Sequence, residues 1–421
     1  MTPPARKLAA LAAALAFPAA APAAELATRK IRPDGLELVV LTDPAARTVS
    51  LRCVVRAGSA RDPVGKGGLA HILEHLLLRA RGPDGLDLLE AARAAGAELD
   101  AYTSRDSTLF VLDAPAQPFP VLAERLLRAI TSLRPRPAEL DRELAVIQRE
   151  GEYRSDDAAT GLVQDALFRT QPLEGTTLGA SASRERTTLE DLVGFYRANY
   201  LSPATTIVIA GAMTAADASG LVDRAWLLPP SLEAEWPRPP PAVEPQLPVD
   251  ERIRAPVLAA VYGYRIDAAD RDLCRPLAEL LERRFLAVIS RRPLVRTVEV
   301  ECVTLRGVDL VLAYAHARTL DATDLPKVLE GVFGQVASRA ADAAERHDVE
   351  LRMSRIADAL RADPAARANE VAWAAARSRE TGPTLLPESS ARMPVERIRA
   401  VARRSFVPQR RVFVFLSPFE G

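Results

Sequence analysis

Cysteine is scarce in this 421-residue chain: Cys53, Cys274 and Cys302 are widely spaced and form no C-x-x-C pair. That excludes a disulfide-dense scaffold and a zinc ribbon. Buried free thiols are the expected state, with a Cys274–Cys302 bridge as the alternative in an oxidising compartment. An excess of charge of one sign is missing too, since 55 Lys and Arg balance 55 Asp and Glu. Without a basic stripe to follow a phosphate backbone, nucleic acid is not an expected partner. Long apolar runs are absent as well. LAALAAALAF (8–17) is about half the length of a membrane span, so no transmembrane segment is expected in the mature chain. Histidine is rare, four in all, which makes any pairing of two informative.

What is present begins with Arg6 and Lys7 ahead of that apolar run, followed by small residues and proline, PAAAPAA (18–24). This is the pattern of a secretory signal cleaved near Ala23 or Ala24. An amphipathic N-terminal helix is the alternative, but the run has no polar face. No Cys stands at the cleavage zone to carry a lipid. Export is therefore expected, to the periplasm, with secretion as the alternative. The remaining length is too great for one ordinary core. Eight prolines fall in 228–248, where neither a helix nor a central strand can form. The expected division is a signal (1–24), an N-terminal domain (25–228), a stiff linker (229–248) and a C-terminal domain (249–421).

Strands are expected at 35–43 and 48–58, strand–turn–strand over 100–115, and a buried strand at 205–211. Helices are expected near 66–80, 84–95, 118–132, 137–152 and 188–199. The helix-to-strand passage through Pro203 is echoed by 395–417 through Pro408, 205 positions later. With the central linker, that echo points to duplication. The expected class is α+β, two similar domains each with a largely antiparallel sheet packed with helices.

The chemistry concentrates in GLAHILEHLLL (68–78). On a helix, His71 and His75 are one turn apart on one face, where two imidazoles can hold one metal ion. Glu74 stands beside them, able to take a proton from a water at that metal. This is H-x-x-E-H, the inverse of H-E-x-x-H. The bland alternative is two satisfied histidines and a surface carboxylate, but the surrounding leucines make burial of bare imidazoles costly. A tetrahedral catalytic zinc needs a third protein ligand. RELAVIQRE (142–150) offers Glu143 and Glu150, two helical turns apart on the face that carries Val146 and Ile147. A solvated charged face is the alternative there.

These residues resemble the pitrilysin/insulinase metallopeptidases, the family that includes the mitochondrial processing peptidases. Its pattern is H-x-x-E-H followed by a distant glutamate in a helix ending V-I-x-x-E. Here 74 residues lie between His75 and Glu150, and the helix reads VIQRE. RAGSARDPVGKGGLAHILEHLL, DAYTSRDSTLF and TTLEDLVGFYRANYLSPATTIVIAG resemble further family segments, so the likeness covers most of 35–211.

The resemblance implies one zinc per chain on His71, His75 and Glu150, Glu74 as general base, and Glu143 supporting the site from outside the ligand set. It implies peptide bound in extended form along the strand edge of Asp100, Ala101 and Thr103. Arg105 and Asp106 would touch peptide or cap the turn. Asp100 departs from the family's usual Asn. The second half departs more: the family sets an Arg and a Tyr near the metal, and RRFLAVISRRPLVRTVEVE (283–301) has no tyrosine. Arg296 or Thr297 falls at the Tyr position. The implied assembly is the zinc-carrying subunit of a heterodimer whose homologous partner supplies the Arg/Tyr pair, with a homodimer as the alternative. The other functional readings are a non-catalytic assembly subunit and a hydrolase of a different amide bond. His316 and His347 read as structural or surface residues.

Overall fold

The computed structural model describes residues 26–63, 65–104, 106–153, 166–167, 186–200, 205–226, 246–254, 258–290, 295–305, 308–317, 325–377 and 393–417. The expected signal and nearly all of the expected linker lie outside the described residues, as does Arg105.

The first half runs β1 (Leu26–Ile31), β2 (Glu37–Thr42), β3 (Thr48–Val55), α1 (Leu69–Leu78), α2 (Leu88–Ala94), β4 (Glu98–Thr103) and β5 (Thr108–Pro115). It continues through α3 (Phe119–Ser132), α4 (Pro137–Tyr153), α5 (Leu189–Asn199), β6 (Thr205–Gly211) and α6 (Ala215–Ala225). The second half runs β7 (Val249–Arg254), β8 (Ala259–Ile266), α7 (Arg271–Ile289), β9 (Val295–Leu305), β10 (Val308–Ala317) and α8 (Leu325–Ser338). It ends with α9 (Ala343–Ala362), α10 (Pro364–Arg377), α11 (Val395–Ser405) and β11 (Arg411–Ser417).

Two sheets result, ordered β1-β2-β6-β3-β5-β4 and β7-β11-β8-β10-β9. In the first, β2 runs parallel to β6 and every other pairing is antiparallel. In the second, β7 runs parallel to β11 and the rest are antiparallel. Removing β1 leaves the same order and the same directions twice. The chain is therefore α+β with two similar domains.

The sheets form because their strands are rich in β-branched residues, which suit a pleated, half-buried surface. β6, TTIVIAG, is buried along its whole length, as a central strand covered on both faces must be. One face of the first sheet packs under α1, α3 and α5, with Leu51, Phe110, Leu126 and Ile207 in that core. Its other face carries Val39, Leu41, Val54, Leu109, Val111 and Val208, covered by Ala368, Val371 and Ala372 of α10. A helix of the second domain thus closes the back of the first. Arg52, fully buried on that face, pairs with Asp113 at 2.8 and 3.0 Å and donates to Asn369 Oδ1 at 2.5 Å. Reciprocally, Ala166 and Leu167 pack against the back of the second sheet with Val261, Leu312 and Val414.

Cys274 and Cys302 are bridged, their Cα atoms 5.9 Å apart. This corrects the expectation of three free thiols. Position 274 opens α7 and position 302 lies on β9, so strand pairing and helix packing bring together what sequence distance hid. Cys53 is free and buried, and burial pushes its thiol far above the ordinary value.

Candidate metal centre

The approach to α1 is set by two local devices. Gly68 at the N-cap has φ +102°, the left-handed region in which only glycine is comfortable. The Asp62 carboxylate accepts from the N–H groups of Gly68 (2.7 Å) and Ala70 (3.0 Å), satisfying donors that a helix start leaves unpaired. α1 then enters the core with all of its residues but His75 buried. A helix apolar around nearly its whole circumference belongs inside a protein, and this one packs against β4, α3, α4 and α5.

Its polar residues are therefore confined to one internal patch. His71 and Glu74 are buried and His75 nearly so, and one ligand atom from each lies within 4.8 Å of the others. The two imidazole rings stand edge to face, 4.7 Å between centroids. Among the described residues this is the one cluster of three or more His, Cys, Asp or Glu side chains placed to share a metal. His316, on β10, and His347, on α9, join no such cluster.

α4 crosses behind α1 with Leu140, Glu143 and Ile147 turned inward. Glu143 places Oε2 3.3 Å from His75 Nδ1. A carboxylate in that position fixes the ring and leaves the other nitrogen, Nε2, to serve as a metal ligand. Glu150 is on the same helix, two turns beyond Glu143; its side chain lies outside the described residues. Two imidazoles converging with a carboxylate, in a buried pocket with an outer carboxylate behind one ring, form a donor set that suits zinc.

The strand assigned to substrate, β4, is the outer strand of the first sheet. Its side chains alternate. Ala101 pairs with Phe110 and Thr103 with Thr108, on the α1 side, whereas Asp100 pairs with Val111 and Tyr102 with Leu109, on the α10 side. The residues grouped as substrate-binding therefore divide between two faces, and the Asp100 side chain points away from the histidines. Burial raises the Tyr102 phenol to about 12, helped by a hydrogen bond to Asp100 and by the charges of Asp100 and Glu98. Thr103 does something sequence reasoning missed: its hydroxyl donates to Glu74 Oε2 at 2.5 Å. The missed signal was the alternation itself, since a residue paired with Thr108 at the end of β4 must face α1. Fully buried Tyr200 closes this side, and burial raises its phenol far above the usual range, with the Glu74 charge adding to the effect.

In the second domain Arg296 and Thr297 are exposed on β9, the outer strand there. The nearby arginines are engaged elsewhere, Arg284 with Glu345 at 3.0 Å and Arg283 with Asp348.

With this geometry in hand, known proteins give a consistent picture. Residues 38–181 match the model of the insulinase family, peptidase family M16. A probable mitochondrial-processing peptidase subunit beta of Schizosaccharomyces pombe is 32% identical over 200 residues, 46% of this chain and 43% of the relative. An uncharacterized zinc protease of Mycobacterium tuberculosis is 28% identical over 206 residues, 48% of this chain and 46% of the relative. The matches thus span less than half the length of these curated relatives. A protease from Helicobacter pylori of known structure has the same fold, with a TM-score of 0.81 at 18% identity, over 94% of this chain and all of that one. Zinc belongs to proteases of this kind, and no helix of the described residues is long and apolar enough to cross a membrane. Through residues 38–181 the chain is similar to the insulinase family of peptidases, family M16, and over nearly its whole length it shares the fold of a solved protease.

Proposed function

We propose that this protein is an exported zinc metallopeptidase that cleaves peptides or unfolded segments. The observation that carries the reading is the convergence of His71, Glu74 and His75 within 4.8 Å on one buried helical turn. His71 and His75 hold the metal, with Glu150 of α4 as third ligand and Glu143 orienting His75 through Nδ1. Zinc supplies Lewis acidity, activating a water and polarising the scissile carbonyl. Glu74 takes the proton of the attacking water and hands it to the leaving amine. The peptide lies extended along β4, where an outer strand offers backbone groups for pairing. Ala101 and Thr103 turn toward the metal side of that strand, and the Asp100 side chain meets only what reaches the opposite face.

Export is supported by the N-terminal pattern and by the Cys274–Cys302 bridge, which an oxidising compartment maintains. We further propose that the chain is the zinc-carrying member of a pair. The second domain has no tyrosine on β9, and Arg283 and Arg284 are committed to ion pairs. A homologous partner would then supply the Arg/Tyr pair.

The test is cleavage of a quenched peptide library by the mature chain, alone and with co-purifying proteins, beside a Glu74→Gln control. Cleavage lost in the control is the expected outcome. Cleavage that survives it sinks the assignment of Glu74, and full activity of the chain alone sinks the heterodimer. A chain with no cleavage under any condition is an assembly subunit that has kept the peptidase fold.

A further inference from the structure

The hydroxyl of Thr103 sits where the outer strand meets the metal helix, and its single proton has a traceable destination. Thr108, its partner across the β4–β5 ladder, is fully buried and donates its own hydroxyl proton to the Ala57 carbonyl at 2.8 Å. With that proton committed, Thr108 Oγ1 offers Thr103 only lone pairs, and at 3.4 Å. Glu74 Oε2 lies at 2.5 Å from the Thr103 hydroxyl. A short bond to a carboxylate is charge-assisted and stronger than one to a neutral hydroxyl, so the Thr103 proton goes to Glu74. The strand end is fixed beyond this point as well. Ser104 N–H donates to Ser107 O at 2.8 Å, and Ser59 N–H donates to Ser104 O at 3.1 Å.

Glu74 is thereby held from a different element than the one that carries it. Its backbone belongs to α1, while one carboxylate oxygen is tied to β4. A glutamate has three rotatable bonds whose freedom costs free energy to restrain, and a buried tether removes that cost before substrate arrives.

We propose that Thr103 is a positioning residue for Glu74, fixing the carboxylate plane for proton transfer and linking that orientation to the strand on which peptide docks. Thr103 therefore acts through Glu74 and contributes little to peptide affinity. This inference rests on the peptidase reading.

The experiment compares Thr103→Val, which keeps the shape and removes the donor, with Thr103→Ser, which keeps the donor. The measurements are steady-state cleavage of a peptide substrate, zinc content per chain and crystal structures. Thr103→Val should lower kcat on the order of 10- to 100-fold, the range lost when an outer partner is removed or geometry slips by about 1 Å. KM should stay within about two-fold of wild type and zinc content should be unchanged. Thr103→Ser should recover most of the rate. In the Thr103→Val structure the Glu74 carboxylate should be rotated from its wild-type plane. An unchanged kcat, a change confined to KM, lost zinc or no recovery with serine would overturn the proposal. A wild type that cleaves no peptide, either alone or with its co-purifying proteins, defeats the peptidase reading instead. In that event the Glu74 orientation in the Thr103→Val structure still decides the positioning role, and an unmoved carboxylate rejects it.

Discussion

The two domains repeat one plan, yet the same place in each is occupied by different chemistry. In the first, α1 and α4 face each other through His75 and Glu143. In the second, the helices at the same places relative to the strands, α7 and α9, face each other through Arg284 and Glu345. Arg284 also donates to the carbonyls of Arg339 and Ala340, and Arg339 adds a second cation to Glu345. The second interface is complete in itself, with charge and hydrogen bonds supplied by the protein. The first gathers imidazoles and carboxylates on one buried patch, an arrangement that suits a cation from outside. A polar helix–helix contact recurs in both halves, gathered into the candidate metal centre in one and closed on itself in the other.

Substitutions in each half can break that contrast. The largest effect should come from Glu74→Gln, which should reduce kcat about 10²- to 10⁴-fold, the usual contribution of a general base, while thermal unfolding is little altered. A comparable loss of stability would make Glu74 structural, as the Arg284–Glu345 pair of the second domain is. Arg284→Ala should do the reverse. It strips buried Glu345 of its buried cation and leaves only half-exposed Arg339, at a cost of up to about 3–5 kcal/mol in denaturant unfolding, while cleavage per folded molecule persists.

The same ion pair gives a pH dependence. Burial alone would raise the Glu345 carboxyl, but hydrogen bonds from Arg284, the Asp342 backbone and Arg339 outweigh it and hold it at about 2. A depressed carboxylate pKa favours the folded state above the ordinary value of 4.5, and this contribution should fade as pH falls from there toward 2. In Glu345→Gln that segment of the stability–pH profile should flatten. An unchanged slope would deny Glu345 the role.

Next in size is the bridge in the second domain. Replacing Cys274 and Cys302 by Ala opens a loop of 28 residues, worth about 3–4 kcal/mol on chain-entropy grounds. Zinc content should not change, because the bridge and the metal patch belong to different domains. Smallest is Glu143→Gln. With a neutral amide behind His75, zinc affinity should fall about 10- to 100-fold in a competition titration. Unchanged affinity would mean that the α1–α4 contact is as purely structural as α7–α9.

The first domain was legible residue by residue because its signals are local. Alternation gave β2 and β3, a buried apolar run gave β6, helical spacing put His71 and His75 on one face, and the same spacing placed Glu143 with Ile147. The strand of Asp100–Thr103 was read as an edge and is one, but Thr103 was grouped with Asp100 although period-2 alternation sends them to opposite faces. Much less was readable beyond the proline run. β7 to β10 and α7 to α10 carry no motif, and only the closing α11 and β11 echoed the first half. The bridge was set aside because residues 274 and 302 meet only once a helix lies on a strand. The cover of the first sheet by α10 was equally invisible, since nothing in PAARANEVAWAAAR announces which sheet it will close.

That exchange of covers bears on how the molecule could be divided. Val371 and Ala372 seal the back of the first sheet, while Ala166 and Leu167 lie on the back of the second. Cutting between the halves would leave each fragment holding the missing lid of the other. Such fragments should refold poorly alone and recover structure when mixed, as two pieces that complement each other in trans.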